Sequence, residues 1–478
     1  MAAKTQSVTI LHTNDIHSHF ERMSPIAALM DEQRAAAEGA VLMLDIGDHM
    51  DRAAAETEGT RGQANIDILN LTGYDAVTIG NNEGLTFSSA ELERLYAGLH
   101  CPVVCCNFLE SATGEPPVWM KRSTVIDKDG VRIGITGATA PFHTYYALLG
   151  WEALEPEEAL REQVEQLAPQ SDIIVILSHL GLAADRELAA KLNGVHAILG
   201  GHTHHVLEEP LLINGTAVCG AGKFGRLVGS IRFEREPDGG PFRYAGGRCL
   251  PVDPDRLNER VALAGGILLD RAREALDETI AVTDRELPLD LAGDSPFSNL
   301  LAQAVRRFTG SQFALVNAGQ LLGPLPKGRV TAGMLHALCP SPINPCTMKL
   351  KGSDVRRALE QSRTAEYRDK IVYGYGFRGE RLGGLAVDGL NILSEQGPMP
   401  YDERIAVFVD GQPLEDEAEY TVGTLDMFTF RAGYETIGNG REVAFMLPHF
   451  LRSLLAMELK RPGSLETCAE PRFRSALR

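Results

Sequence analysis

The run Leu42-Met43-Leu44-Asp45-Ile46-Gly47-Asp48 constrains this chain more than any other stretch. Its apolar residues read as a buried parallel strand. Gly47 permits a tight turn, and Asp48 then stands at the carboxyl end of that strand, where open α/β sheets place their ligand sites. Four other stretches repeat the arrangement. Asp15 and His17 follow a strand expected over residues 8–11, and their spacing lets an extended chain aim both at one point. Asn81 follows residues 76–79, His179 ends the apolar run 172–177, and Gly201-His202-Thr203-His204 follows residues 196–199.

Each piece alone has an ordinary reading as a capped loop, a core histidine or a turn. Five of them at successive strand ends point to a metal centre. The donor set is mixed nitrogen and oxygen, which suits Mn²⁺, Fe, Zn²⁺ or Co²⁺ rather than Ca²⁺ alone. It is too large for one ion. Two divalent ions fit the count, with Asp15, His17, Asp48 and His204 around the first and Asp48, Asn81, His179 and His202 around the second. Asp48 is then the bridge. Such a pair clamps a phosphoryl group and activates water.

The 478 residues exceed one ordinary core, so two domains are expected. A net charge of −18 argues against a partner that is a nucleic-acid polymer, but not against phosphate substrates neutralised by metal cations. No stretch has the length of a membrane span, and eight scattered cysteines fit a reducing, cytoplasmic setting. Oligomeric state is left open.

From residue 7 to about 235, apolar runs alternate with helical patterns, as in a layered α/β domain. Helices are expected over 26–37, 66–71, 89–99, 157–167 and 183–192. Strands are expected over 41–45, 76–79, 103–104, 131–136 and 227–233. Pro251 to Pro254 interrupt this pattern, and a charged helical stretch follows. The domains are therefore placed at 1–255 and 286–478, with a linker helix between them at 256–285. The second domain mixes helices (298–308, 352–362) with strands (313–317, 405–409, 420–425), an α+β pattern.

The ordered set D-x-H, G-D, G-N, H and G-H-x-H resembles the calcineurin-like metallophosphoesterases. The opening Thr13-Asn14-Asp15-Ile16-His17 and the size of the second domain resemble their 5′-nucleotidase branch, which includes UDP-sugar hydrolases and cyclic phosphodiesterases. The resemblance implies an N-terminal layered β-sandwich flanked by helices, holding the two metals, and a C-terminal nucleoside pocket. It implies substrate contacts at Asn107 and Asn317 and stacking aromatics near Phe377 and Tyr434, with core packing as the alternative for both rings. Arg378 and Arg52 are candidate phosphate contacts; Asp51 and Arg52 pairing with each other is the alternative.

Three positions depart from the family pattern. Asn82 stands where a catalytic His is usual, Leu85 where its partner Asp is usual, and Leu322 where an Arg holds substrate. Asn82 can donate a hydrogen bond to a phosphoryl oxygen but cannot transfer a proton at neutral pH. His19, His49 and His205 lie beside the motifs as alternative acids. The expected function is hydrolysis of nucleotides or related small phosphate esters, by attack of a metal-bridging hydroxide with Asp48 and Asn82 in the catalytic set. The alternatives are a phosphodiesterase or pyrophosphatase acting on nucleotide-sugars, dinucleotides or cyclic nucleotides, and a catalytically weak metal-bound binding protein.

Overall fold

The computed structural model describes residues 5–237, 239–396 and 403–475. The extreme N-terminal residues 1–4 lie outside the described residues. The chain divides into two units, Met1–Ala272 and Arg273–Arg478.

The first unit holds two sheets packed face to face. One has seven strands in the order Arg243–Pro251, Leu227–Arg235, Gln6–Thr13, Ala40–Asp45, Ala76–Val77, Val103–Val104, Met120–Lys121. The other has six, in the order Leu211–Ile213, Thr216–Gly220, Ala197–Gly200, Ile173–His179, Val131–Thr139, Ser123–Lys128. Strand alternation makes the sandwich. Val8, Ile10, Leu42 and Leu44 point inward to meet Ile133, Ile135, Val175, Leu177 and Leu199 of the other sheet. Leu11, Val41 and Met43 point outward under helices Phe20–Ala36 and Gln63–Thr72. The outer face of the second sheet is covered by Pro156–Leu167 and Leu182–Lys191. The result is the expected sandwich between helical layers.

Register brings the strand ends together. Gln6–Thr13 runs parallel to Ala40–Asp45 with Thr13 opposite Asp45, and Asp45 is opposite Val77 in turn. In the second sheet, Ser178 is opposite Gly200 and His179 opposite Thr139 in parallel pairs. The polar residues after these strands therefore emerge at common sheet edges.

The first helix starts six residues earlier than expected, at Phe20, and carries Pro25 inside it. Proline removes one helical hydrogen bond there, which burial of Met23, Ile26 and Met30 offsets. A short helix, Asn81–Thr86, follows Gly80 where a turn was expected. Helix Glu259–Leu276 buries Val261 and Leu268 in the core of the first unit.

The second unit is α+β. Its five-stranded sheet has the order Leu385–Asp388, Phe313–Asn317, Glu419–Leu425, Pro345–Lys351, Arg441–Phe445. Helix Pro296–Thr309 lies on it, opened by Ser295 and closed by Gly310 in the left-handed conformation. Pro345–Lys351 escaped the sequence pattern because it begins with proline and alternates with lysines.

Asp426 follows the central strand of this sheet. Its Oδ2 accepts from the Asn344 amide at 3.1 Å, while Oδ1 is buried without a partner among the described residues. Burial raises this carboxyl to about 7. A carboxyl raised in the folded state favours folding most below its unfolded value, and that contribution is lost as pH rises through about 7. Asp426→Asn should therefore stabilise the protein at pH 8 by about 1–3 kcal/mol and flatten the decline between pH 5 and pH 8, measured by thermal melts across that range.

Candidate metal centre

The loops after Gln6–Thr13 and Ala40–Asp45 continue the pairing of their strands. The Asp15 amide donates to Gly47 O at 3.1 Å, His17 to Asp48 O at 2.8 Å, and Ser18 to His49 O at 2.9 Å. A third loop crosses them. The buried Glu83 carboxylate accepts from the amides of Gly80 (2.9 Å), Asp48 (3.1 Å) and Met50 (2.9 Å). Gly47 (φ +83°) and Gly80 are needed at this crossing, because a Cβ on Gly47 would strike the Gly80 backbone and one on Gly80 would strike Asp48.

These loops and those of the second sheet gather their side chains. Asp15 Oδ1 lies 3.9 Å from His17 Nε2, 3.9 Å from His179 Nε2 and 3.4 Å from His204 Nε2. Asp48 Oδ2 lies 3.8 Å from His17 Nε2 and 3.4 Å from His179 Nε2. Two overlapping groups of donors result, Asp15–His17–His204 and Asp15–Asp48–His179. Both carboxylates thus stand between the histidines of the two groups. The His202 ring is 5.3 Å from that of His179, and its amide donates to the Asp15 carboxylate at 3.0 and 3.1 Å.

The residues fit divalent ions on two observations. His179 Nδ1 donates to Ile46 O at 2.8 Å, which leaves Nε2 as the ring atom that can ligate once its proton is lost, and that atom is buried with no hydrogen-bond partner among the described residues. Asn81 Oδ1 is buried and unpartnered in the same way. A third feature is strain. Asp15, His17, Asp48, His202 and His204 all adopt positive φ, between 47° and 70°, a conformation that costs a non-glycine residue about 1–2 kcal/mol.

Charge is distributed unevenly. Burial works against the Asp48 anion, but His179 and His17 hold its carboxyl far below the usual range. Asp15 is likewise lowered against burial, by His204 and His179. Burial opposes the His179 cation too, yet Asp48 and Asp15 raise it to about 10. His17 is raised, against burial, by Asp51 and Asp48. Burial and the His179 charge lower His202 to about 4.

Comparisons with known proteins bear on this geometry. Residues 8–206 match the calcineurin-like phosphoesterase family, and residues 278–435 match the 5′-nucleotidase C-terminal domain family. The metallophosphoesterase YunD of Bacillus subtilis is 32% identical over 462 residues, covering 95% of this chain and 99% of that protein. The chain belongs to the 5′-nucleotidase branch of the calcineurin-like metallophosphoesterases. Rat 5′-nucleotidase is 24% identical over 88% of this chain and 82% of its own length. A 5′-nucleotidase precursor from Thermus thermophilus shares the fold, with a TM-score of 0.61 and 24% identity over 99% of this chain and all of that one.

Within this metallophosphoesterase, several sequence-selected residues have structural partners. Asn82 Nδ2 lies 3.0 Å from His17 Nδ1 and donates to Met50 O at 3.3 Å, and its amide donates to Asp48 Oδ1 at 2.8 Å. The Asn82 carboxamide thus lies beside a metal-ligand candidate. Arg52 makes a two-pronged contact with Glu58 (2.7 and 3.1 Å) and donates to Thr86 O. Asn107 straps Thr139, with Nδ2 donating to its carbonyl and Oδ1 accepting from its amide, each at 2.9 Å. Asn317 donates to Leu382 O at 2.7 Å and accepts from Gln320.

Phe377 and Tyr434 are core aromatics here rather than open stacking faces. Both are buried, and the Tyr434 hydroxyl donates to Gly383 O at 2.7 Å. Arg378 donates to its neighbour's carbonyl, Phe377 O, at 3.2 Å. Exposed aromatics nearby in sequence are Tyr373, Tyr375 and Phe430, the last two stacked with centroids 5.5 Å apart and planes 28° apart. Their types and positions carried no signal that distinguished them from Phe377 and Tyr434. Leu322, where an Arg is usual, is 49% exposed. His19 pairs with Glu21 at 2.7 Å, His205 contacts Thr203, and burial lowers His49 to about 3. Sequence reasoning weighed Asp51 only as a partner of Arg52; its Oδ2 lies 3.3 Å from His17 Nδ1 and orients that ring.

The facing Asp48 and Asp15 carboxylates favour a proton on His179 when no metal is bound, so an ion must displace that proton. Mn²⁺ affinity should rise between about pH 6 and pH 9, with proton release visible as a buffer-dependent heat in titration calorimetry. Asp48→Asn should weaken Mn²⁺ binding by at least about tenfold in the same measurement.

Proposed function

We propose that this protein is a two-metal phosphohydrolase acting on nucleotides, with phosphoanhydrides preferred over nucleoside monophosphates. Membership of a phosphoester-hydrolase family supports the reaction class. The observation that carries the preference is Asn82 itself, whose carboxamide nitrogen donates to Met50 O, lies 3.0 Å from His17 Nδ1 and has no proton to transfer at neutral pH. Asp15, His17, Asp48 and His204 would hold one ion, and Asp48, Asn81, His179 and His202 the other. When bound, two divalent ions supply an activated water and neutralise phosphoryl oxygens.

The protein's own residues set the rest. Asp51 orients His17 by accepting from its far nitrogen, Nδ1, and Asn82 Nδ2 lies 3.0 Å from the same atom. Glu83 fixes the amides of Gly80, Asp48 and Met50 and thereby aims Asp48 and Asn81. Position 82 offers no proton to a leaving group, and Leu85 offers no carboxylate to orient one. A ribose alkoxide leaves poorly without an acid, whereas phosphate leaves from an anhydride unaided. Lack of a general acid typically costs about two to four powers of ten, and that cost falls on the monoester. For a base-binding role in the C-terminal unit, the exposed faces of Tyr375 and Phe430 fit better than Phe377 and Tyr434. Eight free cysteines support a reducing, cytoplasmic setting. Among the described residues no helix is long and apolar enough to cross a membrane.

Steady-state rates with Mn²⁺ on AMP, ADP and p-nitrophenyl phosphate test the preference. ADP and the nitrophenyl ester should exceed AMP by at least about a hundredfold in kcat/KM; AMP as the fastest substrate would sink the reading. Asn82→His combined with Leu85→Asp should raise the AMP rate selectively.

A further inference from the structure

Among the residues with positive φ in the metal-binding loops, Ser18 (φ 54°) is not itself a ligand candidate. Strained conformations persist where neighbours over-determine them, and the surroundings of Ser18 show how. Its Oγ accepts from the Asp51 amide at 2.7 Å and from Asn65 Nδ2 at 2.9 Å, and it lies 2.7 Å from Thr57 Oγ1 and 3.3 Å from His49 O. Asn65 Nδ2 also reaches His49 O and His49 Nδ1, each at 3.3 Å, and Thr57 Oγ1 lies 2.9 Å from Asn65 Oδ1. Every member of this network is buried.

Its connectivity is informative. Ser18 follows His17 directly, and His49 follows Asp48 directly. Asp51, whose amide Ser18 receives, holds the His17 ring through its carboxylate. Thr57 and Asn65 belong to helices Ala55–Thr60 and Gln63–Thr72. One hydroxyl therefore ties two ligand-bearing loops to two helices without lying in either group of donors.

The geometry points to Ser18 as a positioning residue: its hydroxyl, backed by Thr57 and Asn65, locks the His17 and Asp48 loops in their ligand-presenting form before any ion binds. This rests on the two-metal reading above. Removing the hydroxyl takes an acceptor from two buried donors, the Asp51 amide and Asn65 Nδ2, and the loops lose what holds them at positive φ.

Metal-free wild type, Ser18→Ala, Thr57→Val and Thr57→Ser are titrated with Co²⁺, following affinity by calorimetry and site geometry by visible absorption. Melting temperatures are recorded in chelator. Ser18→Ala should weaken Co²⁺ binding about 10–100-fold and alter the absorption bands. Thr57→Val should weaken it severalfold, and Thr57→Ser, which keeps the hydroxyl, should match wild type. A Ser18→Ala protein that melts lower without chelatable metal yet binds Co²⁺ with unchanged affinity and spectrum overturns the proposal, since the hydroxyl then serves stability alone. Should Ser18→Ala not fold, the Thr57 pair decides, and equal Co²⁺ affinity in Thr57→Val and Thr57→Ser overturns it. Absence of saturable Co²⁺ binding in wild type removes the two-metal reading and the proposal with it.

Discussion

The rung from the His17 amide to Asp48 O, 2.8 Å long, is the contact on which the centre depends. It extends the parallel pairing of Thr13 with Asp45 past the ends of both strands. Strand register thereby becomes ligand register. A slip of one residue would turn every inward side chain of a strand to its other face, and Val8, Ile10, Leu42 and Leu44 forbid that by their burial between the sheets. Glu83 adds the third loop to the same frame, accepting three amides with one carboxylate.

Burial sorts the acids of this region by their neighbours. Asp45 is raised to about 8 by burial, with Thr13 and the Gly47 amide only partly offsetting it, and Glu83 is raised to about 7 by burial and the nearby Asp48. Asp15 and Asp48 are as deeply placed yet remain anionic, because His179 faces both and His204 and His17 add to it. Negative charge is thus focused on the two carboxylates that face the histidines, while the scaffold acids hold backbone amides at lower charge.

Legibility followed the physics of each signal. Parallel strands covered on both faces leave continuous apolar runs, so Ala40–Asp45 and Ile173–His179 stood out, and the polar residues after them marked the site. The structure gathers Asp15, His17, Asp48, His179 and His204 within a few ångströms. What the side chains around them do was not readable. Asn82 facing His17 and Ser18 meeting Asn65 are long-range pairings, and Arg52 gripping Glu58 joins residues with no periodic relation. The aromatics of the second unit failed for a similar reason. Whether Phe377 or Tyr375 is buried depends on the path of an irregular loop containing Gly374 and Gly376 at positive φ, which no hydrophobic period encodes.

Asp15, His17, Asp48 and Asn81 hang from one sheet, and His179, His202 and His204 from the other. Their spacing is therefore set by the thickness of the apolar layer between the sheets, where Ile10, Leu44, Leu177 and Leu199 meet. That layer acts as a caliper. Methyl groups remote from any reacting atom determine how far apart the two halves of the donor set stand, so the choice among metal ions of different radius is partly written in the volume of the hydrophobic core.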